Sequence, residues 1–450
     1  MHATSYMLAL ASALFFISAD PAVCAPGDVL WDNSYSSLPD ADNDAANGMA
    51  VDRDGSVIVT GSASHKDGDF DVLTFKYGPD GALVWDRLAG ETWRDIGRAV
   101  TVDPAGNVIV AGESNDPDNP SDNALSAYYT RYHVIRYSPL GEKVSEAYAS
   151  GYRKDTRPSA VAVDDEGSVY VTGNAKNAAD TYPCWYTVKF GTDGEVVYEK
   201  LECSGSDAGA TGIGLERSGA VVVCGYYMDI AAGNYNVRVV KYPPDGKEAM
   251  LDATYNKLTD DEKAWAVAID DKSDVVATGE TSAQGGSTLT LKYTPKGDLL
   301  WAENRPWSSI KNRGSAVAVD EVGRVYVAGK TDKEDKDGGD FLLLIYDPEG
   351  QLLLDRTYPA DADCDATGIV VCPDGSIVIT GNLNTPDKPT VVRTVRIEGF
   401  RKREAPPSEA APVESPAAPP AVPGPSLLDP TRRLLLRGRV RPGRFLHNSR

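Results

Sequence analysis

Histidine is scarce: the 450 residues contain four, at His2, His65, His133 and His447. Two of these lie at the chain ends. A Ser-His-Asp relay would therefore have to use His65 or His133, and neither sits in a recognisable nucleophile motif. Zinc sites need His and Cys at short, regular spacing, and none occurs. No Gly-rich phosphate loop or dinucleotide fingerprint is present, so neither a cofactor nor a resident metal is expected. Six cysteines are few for a disulfide scaffold. Apart from a short N-terminal stretch, no apolar run is long enough to cross a membrane as a helix. Positive charge is also short, with 45 Lys and Arg against 66 Asp and Glu and a net charge of −21. Residues 401–450 hold ten Lys or Arg against four acids, so the rest of the chain carries −27. So acidic a body argues against nucleic acid and anionic membrane as partners.

What the sequence has in abundance is repetition. Seven copies of one pattern run from about residue 45 to residue 397: a small-apolar strand ending in Asp-x-x-Gly, then a strand ending in Thr-Gly or Ala-Gly. The closing glycines are Gly61, Gly112, Gly173, Gly225, Gly279, Gly329 and Gly381, at gaps of 51, 61, 52, 54, 50 and 52. A period near 50 with several short strands per unit is that of a propeller blade. Each copy continues into a second hairpin, clearest at Leu73–Trp85, where Pro79-Asp80-Gly81 is a turn with preset dihedrals. Related turns recur at Pro244-Asp245-Gly246, Pro295-Lys296-Gly297 and Pro348-Glu349-Gly350. Each unit therefore has four antiparallel strands, A to D. The longest gap marks an insertion between strands B and C of the second unit, Asn115 to Tyr132. The seventh copy lacks strand D, while Gly27-Asp28-Val29-Leu30-Trp31-Asp32 reads like Gly81-Ala82-Leu83-Val84-Trp85-Asp86. The sequence predicts an all-β, seven-bladed propeller whose last blade is completed by the N-terminal strand. Closure of that kind removes open sheet edges.

The run Val161-Ala162-Val163-Asp164-Asp165-Glu166-Gly167-Ser168-Val169-Tyr170-Val171-Thr172-Gly173, with the Lys292–Gly297 turn, resembles the bacterial secreted seven-bladed propeller repeat, the SBBP repeat. The resemblance covers roughly residues 27–397. It implies an exported propeller and no particular activity. Copies four and seven depart from the pattern, with Glu216 and Cys372 in place of the strand-A Asp.

Domain organisation follows. Residues 1–25, with the apolar stretch Met7–Ala19 before Ala22-Val23-Cys24-Ala25, resemble a secretory signal peptide. Residues 26–400 form the propeller. Residues 401–450 are a disordered Pro/Ala-rich linker and a basic tail. A secreted or periplasmic location, or a cell-surface one, is the expectation. In an oxidising compartment Cys184 and Cys203, set about equally far either side of Thr192-Asp193-Gly194, face each other across a hairpin and are the candidate disulfide.

Candidate sites divide into two groups. The Asp residues closing strand A (Asp52, Asp103, Asp164, Asp270 and Asp320) fit turn-fixing roles. The strand-C cations (Lys76, Arg136, Lys189, Lys241, Lys292 and Arg396) fit structural ion pairs or solvated positions. Asp40-Ala41-Asp42-Asn43-Asp44 begins like a calcium loop but has Ala45 and Val51 where Gly and Glu are required. The sharper candidate is the face where B–C loops and D–A connections emerge. There Trp93, Arg94, Arg98, Arg157, Lys263, Trp307 and Arg313 form an aromatic and cationic mouth in an acidic protein, suited to an anionic sugar or peptide. The competing reading pairs these cations with adjacent acids such as Asp95, Asp261 and Glu262 and has the aromatics staple blade to blade. Three functions follow: a binding or assembly module for a carbohydrate or protein ligand, with no catalysis evident; a polysaccharide-acting enzyme using carboxylates with Tyr or Arg; or a structural surface protein without a ligand.

Overall fold

The computed structural model describes residues 24–37, 43–65, 68–90, 94–116, 129–149, 154–176, 182–257, 259–306, 312–332, 338–360 and 362–400. Residues 1–23 of the expected signal segment and residues 401–450 lie outside them, as do Trp93, Trp307 and residues 40–42 of the calcium-loop-like segment.

Among the described residues twenty-eight strands form seven four-stranded antiparallel sheets. In the order A, B, C, D, blade 1 is Asn43–Val51, Val57–Ser64, Phe70–Tyr77 and Leu83–Ala89. Blade 2 is Ile96–Val102, Val108–Asn115, Thr130–Tyr137 and Lys143–Ala149. Blade 3 is Lys154–Val163, Val169–Lys176, Cys184–Phe190 and Val196–Glu202. Blade 4 is Ala208–Leu215, Val221–Asp229, Asn234–Tyr242 and Leu251–Tyr255. Blade 5 is Glu262–Ile269, Val275–Thr281, Ser287–Tyr293 and Leu299–Arg305. Blade 6 is Asn312–Val319, Val325–Asp332, Gly339–Tyr346 and Leu352–Tyr358. Blade 7 takes Asp363–Val371, Ile377–Asn384 and Val391–Ile397 from the C-terminal side and Val29–Tyr35 from the N-terminal side. That N-terminal strand runs antiparallel to Val391–Ile397, with Asp32 opposite Val395 and Tyr35 opposite Val392. The insertion in blade 2 is shorter than expected, because Asn115 still pairs with Thr130.

Each strand A touches strand A of both neighbouring blades, and blade 1 meets blade 7, so the ring is closed around an axis lined by strand A. Strand B is buried along its length, as in Val57–Ser64, because sheets cover it on both sides. Strand D is the most exposed, with Leu83, Val84, Asp86 and Leu88 open to solvent and Trp85 buried in blade 1. The core therefore lies between sheets: Tyr326 and Leu343 of blade 6 share one cluster with Ile379 and Val395 of blade 7. Each such side chain contributes about 1.5–3 kcal/mol when taken out of water.

The tryptophan that marks strand D has a definite task. Trp31, Trp85 and Trp301 each donate the indole N–H to the carbonyl of the turn proline in the next blade: Pro79, Pro139 and Pro348, at 3.0, 3.1 and 3.0 Å. The turn glycines Gly81, Gly141 and Gly350 lie flat against these indoles at positive φ, where a Cβ would strike the ring. Gly27 fills the same place against Arg356 and Leu354 of blade 6. The hairpin turn of blade 7 is thus rebuilt from the two ends of the chain.

Candidate functional site

Antiparallel blades put the A–B and C–D turns on one rim and the B–C and D–A connections on the other. On the first, lower rim every blade holds one acid and one cation together. Lys76 meets Asp52 at 2.7 Å, and Lys292 meets Asp270 at 2.9 Å. Arg136 meets Asp103 at 2.5 Å, and Lys189 meets Asp164 at 3.6 Å. The acid also fixes the turn: Asp270 accepts the backbone N–H groups of Lys272 and Asp274 at 2.9 Å each. Where the sequence departs, the pair is rebuilt. In blade 4, Glu216 takes Lys241. In blade 7, where Cys372 stands, Asp374 takes Arg396 at 2.9 Å. In blade 6, strand C carries Ile345 and the cation moves to Arg324, which reaches Asp320 at 2.6 Å. The strand-C cations also cross between blades: Arg396 reaches the carbonyl of Gly55, and Lys241 that of Pro295. These two rings of residues are structural.

The upper rim is organised by a bulge in each strand A. In blade 1, Ala46 pairs with Gly61 and Gly48 with Thr60, leaving Asn47 unpaired. The equivalent residues are Arg98, Ser159, Thr211, Trp265, Ser315 and Thr367. The bulge explains the closing glycine. A Cβ on Gly279 would sit 1.8 Å from the Lys263 carbonyl oxygen, and one on Gly329 1.8 Å from that of Arg313. Bulges re-aim side chains, and these seven ring the axis at one level. Some are latches to the following blade: Asn47 donates to the Gly97 carbonyl at 2.8 Å, and Thr211 to that of Ala264 at 2.9 Å.

Of the expected mouth residues, Arg94, Arg98, Arg157, Lys263 and Arg313 lie among the described residues at this end of the blades, and they are not equally free. Arg94 and Arg98 converge on one oxygen of the buried Glu113, at 3.1 and 2.9 Å. Arg313 is ion-paired with Asp365 of blade 7. These three arginines are therefore engaged, though not by the acids adjacent in sequence. Asp261 instead accepts the Tyr235 N–H, and Glu262 faces the Lys257 N–H. Among the described residues Arg157 is exposed and meets no acid. Lys263 meets no carboxylate either; its ammonium lies over Tyr235 at 3.7 Å and Tyr226 at 4.9 Å from the ring centroids. Several connection tyrosines are staples. Tyr35 donates to Asp86 of blade 1 at 2.8 Å, and Tyr358 to the Gly27 carbonyl at 2.9 Å.

Sequence reasoning passed over Trp265. It packs edge-on to Tyr226 at 5.6 Å, beside the Tyr226–Tyr235 pair at 5.6 Å. Its indole N–H is buried without a hydrogen-bond partner among the described residues. The signal was present: among the described residues Trp265 is the one aromatic residue in the seven strands A. Glu262, in the same strand, is fully buried. Burial, reinforced by Asp260 and Asp261, pushes its carboxyl up to about 7. A disulfide joins Cys184 to Cys203, locking the upper ends of strands C and D in blade 3.

These features define a closed seven-bladed β-propeller with a uniform lower rim and a varied upper one. The chain carries the SBBP beta-propeller repeat, whose family model matches residues 147–178. No curated protein matches the chain. Among solved structures it is similar to the virginiamycin B lyase of Staphylococcus aureus, at 11% identity and a TM-score of 0.51, over 81% of this chain and 99% of that one. It is also similar to Sqt1 from Chaetomium thermophilum, at 11% identity and a TM-score of 0.47, covering 83% and 99%. A polysaccharide lyase, an ulvan lyase, matches at 12% identity and a TM-score of 0.47, covering 78% and 96%. Identities this low show the fold alone.

Proposed function

We propose that the protein is an exported binding module that presents its upper rim to an anionic carbohydrate. The observation that carries this reading is the cluster of Trp265, Tyr226, Tyr235 and Lys263 where blades 4 and 5 meet. Aromatic faces stack on sugar rings, the orphaned indole N–H is a donor for a ligand oxygen, and Lys263, which forms no ion pair among the described residues although Glu280 lies opposite it, brings positive charge. Arg157 adds a second cation that meets no acid among the described residues. Export is supported by the N-terminal apolar segment and by the disulfide, which belongs to an oxidising compartment.

The test is a glycan array, including uronate-containing and sulfated chains, probed with the purified protein. Trp265→Ala and Lys263→Ala should each lower the retained signal by about tenfold or more. Binding that survives both changes would remove the site, and a response only to acidic peptides would transfer the same surface to a protein partner.

A further inference from the structure

A second site lies on the outer wall between blades 1 and 2, reaching up to their D–A connection at Gly90 and Asp95, and does not depend on the function proposed for the upper rim. Blade 2 aligns three side chains from strands B, C and D. Ser114 Oγ is 2.8 Å from His133 Nδ1, and His133 Nε2 is 3.2 Å from Glu146 Oε2. If the serine hydroxyl donates to Nδ1, the ring carries its proton on Nε2 and donates that to Glu146. This is the hydrogen-bond order of a Ser-His-acid relay, with the two ring nitrogens exchanged. All three residues line a groove of about 500 Å³ between blade 2 and the outer strand of blade 1. Arg131 is the cross-strand partner of Ser114, stacks on Tyr148 at 3.6 Å, and keeps a buried Nε without a hydrogen-bond partner among the described residues.

An acid at the Glu146 position is not itself unusual. Asp32, Asp86, Glu199, Asp252 and Asp355 occupy it in other blades, where they pair with Arg393, Tyr35, Tyr186, Arg238 and Arg305. In blade 2 alone the partner is an imidazole that continues to a hydroxyl, and the chain opens on a groove.

We propose that Ser114, His133 and Glu146 form a hydrolytic centre for short carboxylic esters. Ser114 Oγ attacks the acyl carbon and forms the new C–O bond, while its proton passes to His133 Nδ1. The ester C–O bond breaks and the leaving alkoxide takes that proton. Water then attacks the acyl carbon and gives a proton to Nδ1. The bond to Ser114 breaks, the proton returns to Oγ, and the free acid leaves. Arg131 faces the developing oxyanion. Glu146 is a positioning residue that holds the ring and offsets the transient imidazolium charge. Burial pulls the imidazole below its ordinary range, against the opposing effect of Glu146, so it is neutral and able to accept a proton near pH 7. The charged groups facing it are Glu146 on strand D, Asp95 before strand A and Arg131 on its own strand.

The test is p-nitrophenyl acetate hydrolysis by the full chain, together with fluorophosphonate labelling read by peptide mass. The wild type should hydrolyse the ester and carry the label on Ser114. Ser114→Ala should abolish labelling and lower the rate to near the solvent reaction, and His133→Gln should do the same. Glu146→Gln should lower the rate by about 10- to 1000-fold and displace its pH profile, while Glu146→Asp restores part of it. Circular dichroism confirms that each variant is folded. Absence of both hydrolysis and labelling in the wild type overturns the proposal, as does hydrolysis that Ser114→Ala leaves unchanged.

Discussion

The lower and upper rims of this ring follow opposite rules. On the lower rim, seven blades solve one problem in one way, and when a residue is lost another supplies its charge, as Arg324 and Asp374 do. On the upper rim the backbone repeats just as faithfully, bulge for bulge, but the residue at the bulge is Asn, Arg, Ser, Thr, Trp, Ser and Thr in turn. Compensation marks a position the fold needs. Variation on a constant backbone marks a position released for other uses. Strand D adds a third case: an acid in six of the seven blades, with Ala302 in blade 5, whose partner changes and in blade 2 becomes a relay.

This contrast can be broken most forcefully at Lys292. Its ammonium is fully buried between Asp270 and Asp274, at 2.9 and 3.5 Å. Lys292→Ala leaves a buried carboxylate unpaired and should cost about 3–5 kcal/mol in urea unfolding. A cost no greater than that of an upper-rim change would erase the distinction between the rims. Next in size is the disulfide. It closes a span of 19 residues, and replacing Cys184 and Cys203 together by Ser should lower stability by about 2–4 kcal/mol. An unchanged melting temperature in reductant would show that hairpin packing alone holds blade 3.

A smaller effect, of opposite sign, is expected at Glu262. Its carboxyl titrates at about 7 in the fold against an ordinary 4.5. The folded state therefore holds this proton longer than the unfolded state. Its contribution to stability is complete below 4.5 and is lost as pH rises through about 7. Glu262→Gln should then stabilise the protein by about 1–2 kcal/mol at pH 8 and change nothing at pH 4, by calorimetry. A gain that is the same at both values would assign the effect to packing. The smallest change belongs to Arg157. Exposed and without an acid partner among the described residues, it should alter stability by less than about 0.5 kcal/mol when replaced by Ala, while weakening glycan binding. Stability loss without a binding change would return it to the framework.

Much of this was legible in one dimension. The period of the closing glycines counted the blades, and the likeness of Trp31 to Trp85 placed the N-terminal strand in blade 7. The Asp and Lys rings were readable as structural, but not as partners of each other, because they lie on different strands of one blade. The cations proposed for the mouth are legible in the sequence, but the partners they meet are not. Arg94 and Arg98 belong to Glu113, a residue on the neighbouring strand that no local pattern connects to them. Trp265 lies within a strand, at its bulge, where no pattern of the connecting loops points to it. His133 was set aside for lack of a nucleophile motif, since Ser114 and Glu146 lie 19 and 13 residues away on either side.

Local chemistry, then, determined the strands, their turns and the closure of the circle, because alternation, glycine and proline act within a few residues of themselves. Which charges meet, which indole is left without an acceptor, and where a serine finds its imidazole were decided only when the sheets came together. Hydrogen bonds and ion pairs act over a few ångströms of space, and the chain order does not encode that distance.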